Sequence, residues 1–414
     1  DFDPNGPAKG SQPLPIWLTS KLKPNVRCEF RTVDHPAGRV VLLEIAATTT
    51  VPVEFDGTAY IRIGSSTSSL SSHPGRHQHL IDSIRPYNWE NAFALTFVTS
   101  DEVLSALDYA SYFRLVDLPL PNGHAGILER LEAEKLIVRD VGRRWNVTNL
   151  GAILFAVDLR QFNDEISRKA IRFIAYEGRN RTTDVVDRQD GQRGYAAGFE
   201  GLMGYINALI PKRETIGQAR RESRAMLPSI AIRELVANAL IHQDMTITGA
   251  GPQVELFEDR LIITNPGLSL VEPERMIDAP PRSRNASLAS LMRRMRLCEE
   301  QGSGLDKTVR AIEDYHLPPL RLRLENASTQ AVVLGPRPFA KMTTEERVEA
   351  CYQHAVLRYL DSERLHNRTL RERLGIGEAN AAQATTVINR TRDEGRIKVA
   401  DPEHPKAGYV PHWA

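Results

Sequence analysis

The segment IRELVANALIH, residues Ile232–His242, is the most informative stretch in the middle of this chain. Its aliphatic residues and its lack of glycine and proline predict a helix. Glu234, Asn238 and His242 are spaced by four residues, so they share one face of that helix. A carboxylate one turn away from a carboxamide forms an oxygen-lined site. Such a site suits Mg²⁺ that bridges to phosphates, while the carboxylate activates a water molecule.

Two further patterns follow this helix along the chain. Gln253–Phe257 and Leu261–Thr264 predict an antiparallel hairpin, which ends at the tripeptide NPG, residues 265–267. The tripeptide GSG, residues 302–304, stands directly before the helical segment Leu305–Tyr315. Glycines at a helix N-terminus let phosphate oxygens reach backbone N–H groups at the positive end of the helix dipole. The helix, the hairpin, NPG and GSG in this order are stronger evidence for a phosphate-binding site than a lone Gly-Ser-Gly would be.

This ordered set resembles the N, G1 and G2 boxes of the GHKL ATPases, the superfamily of histidine kinases and gyrases. It resembles more closely the group named "RecG C-terminal-like", although nothing in the sequence is typical of a helicase motor with a Walker-type phosphate loop. The segment from Gly302 to Ile312 is similar to a histidine-kinase G2 box. The resemblance implies an α/β sandwich closed by strands at Arg321–Leu324 and Ala331–Leu334. It also implies ATP or ADP with Mg²⁺ as the ligand.

The resemblance also implies a role for each matching residue. Glu234 stands where the water-activating carboxylate is expected, and Asn238 stands where the Mg²⁺ ligand is expected. Asn265 occupies the position of the aspartate that reads adenine, and Gly267 would give the base close access to the backbone. The expected phosphate-binding residues are Gly302, Ser303 and Gly304.

Two positions depart from the family pattern. Asn265 accepts a hydrogen bond only through a neutral amide oxygen, and charge-assisted bonds are about twice as strong as neutral ones. Asp306 stands where the second half of the G2 box would have a glycine. The nucleotide site is therefore expected to be degenerate. An α/β sandwich that keeps the fold without the ligand stays open as an alternative.

Two stretches are rich in arginine. The expected lid region carries Arg282, Arg284, Arg293, Arg294 and Arg296. These side chains would clamp phosphates, bind nucleic acid or form a solvated helix face, and the sequence leaves the three interpretations open. Residues 212–224 predict a mobile basic loop.

The front of the chain resembles the later portion of Schlafen-AlbA domains. The matching segments are VVLLEI at residues 40–45, YIRIGSST at 60–67 and WEN at 89–91. In relatives with RNase activity the acidic catalytic residues come earlier in that domain, at positions that would fall before Asp1. Between residues 99 and 160, two helices and the strand pair 136–138 and 145–147 predict a winged-helix-like insert.

Residues 342–414 predict a winged helix, with helices near 345–360, 368–374 and 379–394 and a β-wing after them. In such domains the third helix enters the DNA major groove. The candidates for contacts to base edges are Asn380, Gln383, Thr385 and Thr386, and the candidates for phosphate contacts are Arg390, Arg392 and Lys398. The charge of this region is nearly balanced, so protein docking stays open beside DNA binding.

Composition sets outer limits on the function. The 414 residues carry a formal net charge of +1 at pH 7, so any nucleic-acid contact must come from local patches. The three cysteines fit neither a metal-binding spacing nor a disulfide framework, which favours the cytoplasm. No apolar run is long enough for a membrane-spanning helix, so no membrane partner is expected.

We therefore expect an α/β (α+β) multidomain fold with four parts. These are a Schlafen-AlbA-type α+β front at 1–98, a winged-helix-like insert at 99–160, a GHKL-like α/β sandwich at 161–336 and a winged helix at 342–414. The predicted function is a nucleotide-sensing, DNA-binding regulator of bacterial transcription. One alternative is an enzyme, either a Schlafen-type nuclease acting on RNA or a slow Mg²⁺-dependent ATPase. The other is a structural protein with a dead nucleotide site that forms a homo-oligomer.

Overall fold

In a computed structural model, the chain divides into two compact units, Asp1–Asn88 and Trp89–Ala414. The structure describes residues 2–3, 6, 12–24, 26, 28–36, 38–45, 51–63, 65–73, 76, 80, 88–140, 142, 144–216, 221–280, 282–299 and 304–414. Helices and several sheets alternate along the chain, which confirms the predicted mixed α/β (α+β) class. Within these ranges no helix has both the length and the apolar character needed to cross a membrane.

Within its described ranges, the first unit contains helix α1 and two small antiparallel strand assemblies. Its elements are α1 (Leu14–Lys21), β1 (Leu22–Lys23), β2 (Cys28–His35), β3 (Gly38–Ile45), β4 (Glu54–Phe55), β5 (Thr58–Ile63) and β6 (Ser66–Ser69). Strands β2 and β3 pair with each other, and the other four form a sheet in the order β1-β4-β5-β6. Asp56 and Gly57 both have positive φ angles, 52° and 81°, as a two-residue hairpin turn with this chemistry requires.

The second unit begins with a helical subdomain that carries a three-stranded sheet of order β7-β9-β8. Its elements are β7 (Phe93–Val98), α2 (Ser100–Ala106), α3 (Tyr109–Leu115), α4 (His124–Ala133), β8 (Ile137–Arg139), β9 (Trp145–Thr148), α5 (Asn149–Phe155) and α6 (Asp164–Ser167). Helix α2 begins at a capping box, because Thr99 and Glu102 satisfy each other's backbone N–H groups. The helices followed by a β8–β9 wing match the element pattern predicted for this stretch.

A six-stranded sheet forms the centre of the second unit, in the order β11-β10-β14-β15-β17-β16. The β10–β14 pair is parallel and every other pair is antiparallel. The strands are β10 (Arg172–Tyr176), β11 (Val185–Asp190), β14 (Gln253–Phe257), β15 (Arg260–Pro266), β16 (Arg321–Glu325) and β17 (Ser328–Leu334). The helices that accompany the sheet are α7 (Tyr195–Leu209), α8 (Ser229–His242), α9 (Ala286–Arg294) and α10 (Gly304–Asp314).

Helix α8 lies at the centre of the layer that covers this sheet. It packs on β15 and on the neighbouring helices α7 and α10. On β15, Leu261, Ile263 and Asn265 are buried, whereas Ile262 and Thr264 between them are half-buried. This period of two places the first three on the face covered by the helices. The arrangement is a two-layer α/β sandwich, in which Asn265 is the polar member of an otherwise apolar row.

The described parts of the basic stretch, residues 212–216 and 221–224, are strands, so the prediction of a loop was wrong there. Lys212–Ile216 and Arg221–Ala225 form an antiparallel pair, β12 and β13. The backbone N–H of Met226 donates to the carbonyl of Pro211 at 2.8 Å, and this bond holds the two ends of the hairpin together. Charged residues have low strand propensity, so the sequence pattern did not predict these two strands. Their pairing depends on the contact that holds their ends together.

The tail consists of three helices and a two-stranded wing, as predicted for residues 342–414. Its elements are α11 (Thr344–Leu360), α12 (Asn367–Leu374), α13 (Ala381–Asp393), β18 (Ile397–Val399) and β19 (Tyr409–Pro411). Helix α12 ends at Gly375, whose φ of 65° forms a left-handed C-cap. The tail is anchored on the central sheet, because Gln353 accepts from the backbone N–H of Leu320 and donates to its carbonyl, at 3.2 and 2.7 Å.

Candidate functional site

A cavity of about 370 Å³ lies between helix α8 and the sheet, within the usual range of ligand sites of roughly 300–1,000 Å³. Glu234, Asn238 and His242 all line it, so the predicted helix face is the one that borders the cavity. Pro228 occupies the N-cap position of helix α8, and no side chain caps the first turn of this helix. Its last carbonyls, those of Ile241 and of the following Gln243, accept hydrogen bonds from the amide of Asn285, each at 2.8 Å.

Asn265 lines the cavity from the sheet and is only 7% exposed. Among the residues that the structure describes, none hydrogen-bonds to its side-chain amide. Asn238 is likewise without a side-chain partner in the described ranges. Buried polar groups are nearly always hydrogen-bonded in folded proteins. Asn238 is half-buried, and the amides of both Asn238 and Asn265 remain open to whatever occupies the cavity.

Gly267 has a structural role in this geometry and is not among the described residues that line the cavity. Its φ angle is +101°, which favours glycine. A Cβ atom at this position would lie 2.7 Å from Cβ of Asp244 and 3.0 Å from its backbone nitrogen. The sequence predicted that a ligand would approach the backbone at Gly267, but in the structure Asp244 lies there instead.

Gly304 lines the cavity at the start of α10, whereas Gly302 and Ser303 lie outside the described residues. A Cβ atom at Gly304 would lie 2.9 Å from Oε2 of Glu234, so the carboxylate lies against the N-terminus of the helix. Asp306, which replaces the expected glycine, belongs to the first turn of α10. It is not among the described lining residues, so this departure does not fill the cavity.

Burial sets the protonation of two lining residues. It raises the pKa of Glu234, and the neighbouring Glu299 carboxylate raises it further, against the lowering effects of the Glu299 backbone N–H and of Lys307. Burial also lowers the pKa of His242 below its ordinary value of 6.5, so its imidazole is neutral at pH 7. The positive charge of the cavity wall therefore comes from arginine.

Three of the five arginines in the lid region line the cavity: Arg282, Arg284 and Arg293. No described acceptor hydrogen-bonds to Arg282 or Arg293, and Nε of Arg284 is 4.0 Å from Asp244. The other two do not line the cavity. Arg294 contacts Glu134 at 2.8 Å, and the carbonyl of Arg296 accepts from Arg233 at 3.4 Å.

Helical spacing explains why Arg293 lines the cavity and Arg294 does not. On α9, Ala286, Ala289 and Arg293 line the cavity at positions i, i+3 and i+7, which share one face. This spacing is visible in the sequence and would have separated Arg293 from Arg294. The sequence analysis did not select the apolar residues that also line the cavity, which are Leu270, Val271, Met276, Ala279 and Pro280.

Cys298 is a lining residue that the sequence analysis did not select. Burial raises the pKa of its thiol to about 11, and the nearby Glu234 carboxylate adds to this effect. The thiol therefore stays protonated at neutral pH and lacks the thiolate that a nucleophile needs.

The DNA-contact candidates of the tail lie on its surface. Asn380, Gln383, Thr385, Thr386, Arg390, Arg392 and Lys398 are all exposed. Two of the three cations contact neighbouring acids, Arg390 with Glu394 at 3.1 Å and Arg392 with Asp393 at 3.1 Å. Exposed pairs of this kind contribute little, so they would exchange for phosphate contacts at low cost.

Comparisons with known proteins indicate an ATPase-like domain in the middle of the chain. Residues 249–333 match the family described as "Putative ATP-dependent DNA helicase recG C-terminal". No curated protein matches the sequence. A crystal structure of the DIP2311 protein from Corynebacterium diphtheriae is similar at 16% identity and a TM-score of 0.49, covering 98% of this chain and 82% of that one. The resemblance of the front to Schlafen-AlbA domains stays a prediction.

Proposed function

We propose that this protein is a DNA-binding regulator that senses a purine nucleotide, ATP or ADP, in the cavity between α8 and the sheet. The observation that carries the proposal is the position of helix α10. One end of this helix borders the cavity, and its other end contacts the tail. A ligand at the first end can therefore change the free energy of the tail's arrangement, provided that it binds two arrangements with different affinity.

The contacts at the far end of α10 are polar and specific. Arg310 donates two hydrogen bonds to the carboxylate of Asp361, at 2.8 and 2.6 Å. Glu313 contacts Nδ1 of His354 at 2.9 Å and Nε of Arg373 at 3.2 Å. Charge-assisted and bidentate hydrogen bonds depend strongly on geometry. A small shift of α10 would therefore weaken its bonds with the tail.

The lining residues fit an anionic nucleotide. Arg282, Arg284 and Arg293 would hold the phosphate chain, because guanidinium groups match phosphate oxygens. Asn238 would bind Mg²⁺ through its amide oxygen together with phosphate oxygens, since Mg²⁺ prefers oxygen ligands and relies on few protein groups. The bound ion would neutralise part of the phosphate charge beside Glu234.

Calorimetry with ADP and Mg²⁺ tests the cavity. We expect saturable binding by the unaltered protein. Asn238→Ala should raise Kd about 10- to 100-fold, because a hydrogen bond to a charged group contributes about 1.5–3 kcal/mol. The matched control is Asn207→Ala on α7, which removes the same side chain outside the cavity. Absence of heat from the unaltered protein would overturn the proposal in favour of a structural α/β sandwich.

Fluorescence anisotropy with a labelled DNA duplex tests the tail. Lys398→Ala should weaken binding and reduce the slope of log affinity against log salt by about 0.9, the value for one lost phosphate contact. Lys341→Ala, which removes an exposed lysine outside the candidate surface, is the control. Equal salt slopes for the two variants would argue against DNA contact by the wing.

The two sites are coupled if ADP–Mg²⁺ changes the duplex Kd. We expect Asp361→Asn to reduce that change, because it weakens the bidentate contact with Arg310 at the end of α10. A duplex Kd that is the same with and without nucleotide would refute sensing while leaving both binding sites intact.

Slow ATP hydrolysis is a second candidate, favoured by the environment of Glu234. A pKa raised by burial moves a carboxylate toward the operating pH, where a general base is most effective. Phosphate release that exceeds background and is abolished in Glu234→Gln would establish this activity. Release that persists in the variant would assign it to a contaminant.

A further inference from the structure

We propose that the cavity accepts purine nucleotides with either an amino or an oxo group at C6, because the Asn265 amide is able to pair with both. This inference rests on the proposed function, in which a purine nucleotide binds in this cavity. Its starting observation is the 7% exposure of Asn265, together with the absence of a described hydrogen-bond partner for its amide. The group must therefore obtain its partners from whatever enters the cavity.

The lining of the cavity indicates which part of a nucleotide Asn265 would meet. The sheet contributes Ile263, Leu322 and Ala331 beside Asn265, so this wall is apolar apart from a few polar groups. The arginines come from the lid loop and from α9. A purine base is flat and apolar with a polar edge, whereas the phosphates are charged. The base would therefore lie on the sheet side, with its polar edge toward Asn265.

Nothing in the described surroundings fixes the amide in one orientation. Thr329 lies opposite Asn265 in the β15–β17 register, but its hydroxyl donates to the carbonyl of Gly267 at 2.8 Å. A carboxamide presents one acceptor and one donor side by side, and a half-turn about its last torsion exchanges them. Asn265 is thus able to present either order of donor and acceptor to a ligand.

The two classes of purine need opposite orders. Adenine offers a donor at N6 and an acceptor at N1, whereas hypoxanthine and guanine offer an acceptor at O6 and a donor at N1. The amide of Asn265 forms two hydrogen bonds with either edge. A carboxylate at this position would only accept, so it would pair with the one donor of either edge and would face the neighbouring acceptor, N1 of adenine or O6 of hypoxanthine.

Competition between ADP and inosine diphosphate tests the inference, because the two bases differ only at C6 and N1. Calorimetry with Mg²⁺ should give Kd values within about threefold of each other for the unaltered protein. Asn265→Leu, which has a similar shape and no hydrogen-bonding group, should raise both Kd values by about tenfold or more, because it removes the pairing with either base. Thr264→Ala, which alters the opposite face of the same strand, should leave both Kd values unchanged.

Three results would contradict the inference. A more than tenfold preference of the unaltered protein for one nucleotide would overturn it while leaving the proposed function in place. Unchanged Kd values for both nucleotides in Asn265→Leu would remove residue 265 from base recognition. Binding of neither nucleotide to the unaltered protein would instead refute the proposed function, and the inference with it.

Discussion

The cavity and the exposed face of helix α13 contain similar polar residues in opposite environments. In the cavity, Asn238 and Asn265 have no described hydrogen-bond partner, and Asn265 is almost fully buried. On α13, the side chains of Gln383 and Arg390 are exposed. An unpartnered buried amide costs about 1–3 kcal/mol, whereas an exposed one is satisfied by solvent at no such cost.

This difference determines how much each region says about function. The two amides share one cavity with three arginines, and an anionic ligand with a polar edge would satisfy both kinds of group, so the cavity points to a ligand. The exposed residues of α13 are compatible with DNA, with a protein partner or with water alone. The proposal for the tail therefore depends more on experiment than the proposal for the cavity.

The largest expected effect concerns a buried acid whose partners are all within the protein. Glu346 is 1% exposed and accepts from Arg321 at 2.5 Å, from Arg337 at 2.9 Å and from the backbone N–H of Thr343 at 2.9 Å. Glu346→Ala should lower the free energy of unfolding by about 3–5 kcal/mol, because it leaves two guanidinium groups without their partner.

Urea unfolding followed by circular dichroism measures this change, with the exposed Glu403→Ala as control. If both variants lowered the free energy of unfolding by the same small amount, burial would not distinguish Glu346 from an exposed glutamate such as Glu403.

Gly267→Ala is expected to have the next largest effect. The substitution adds strain at a φ of +101° and places Cβ 2.7 Å from Asp244, so the loss should be about 1–3 kcal/mol. Gly204→Ala on α7 is the matched control, since its Cβ meets open space and alanine should stabilise the helix by about 0.5–1 kcal/mol. Thermal unfolding should move in opposite directions for the two variants. A stable Gly267→Ala protein that has lost only ADP binding would instead restore this glycine to the ligand site.

A smaller effect is expected from the pH dependence of Glu234. Burial raises its pKa in the folded state above the ordinary value of 4.5, so the folded protein holds the proton more tightly than the unfolded chain. The stability due to this group is therefore greatest below that value and is lost as the pH rises through the folded pKa.

Glu234→Gln should flatten the decline of unfolding free energy that begins as the pH rises above the ordinary pKa of 4.5. The exposed Glu129→Gln is the control. Identical pH profiles for the unaltered protein and Glu234→Gln would contradict the burial of this carboxyl group.

The smallest effect should come from Arg390→Ala on α13. Its ion pair with Glu394 is exposed and spans one helical turn, so its loss should cost about 0.3–0.5 kcal/mol. Unfolding should hardly change, while duplex affinity falls if Arg390 contacts a phosphate. A loss of stability as large as that of Glu346→Ala would mean that the tail surface is not the solvated face described above.

The elements were largely predictable because their signals are local. The spacing of Glu234, Asn238 and His242 follows from the helical repeat, and the Asp56-Gly57 turn follows from the preference of these residues for positive φ. The tail helices were predicted for the same reason. The hairpin β12–β13 was not, because its pairing depends on contacts that hold its ends together rather than on the residues inside it.

Local sequence signals were sufficient to predict the mixed fold class, the helix face at residues 234–242 and the succession of helices and wing in the tail. Packing between distant segments instead brings Arg282, Arg284 and Arg293 to the same cavity as Asn265, places Gly267 against Asp244, and lets α10 connect the cavity to the tail. The reason is physical: periodicity specifies which side of an element is apolar, whereas the partners it meets depend on packing between segments far apart in the chain.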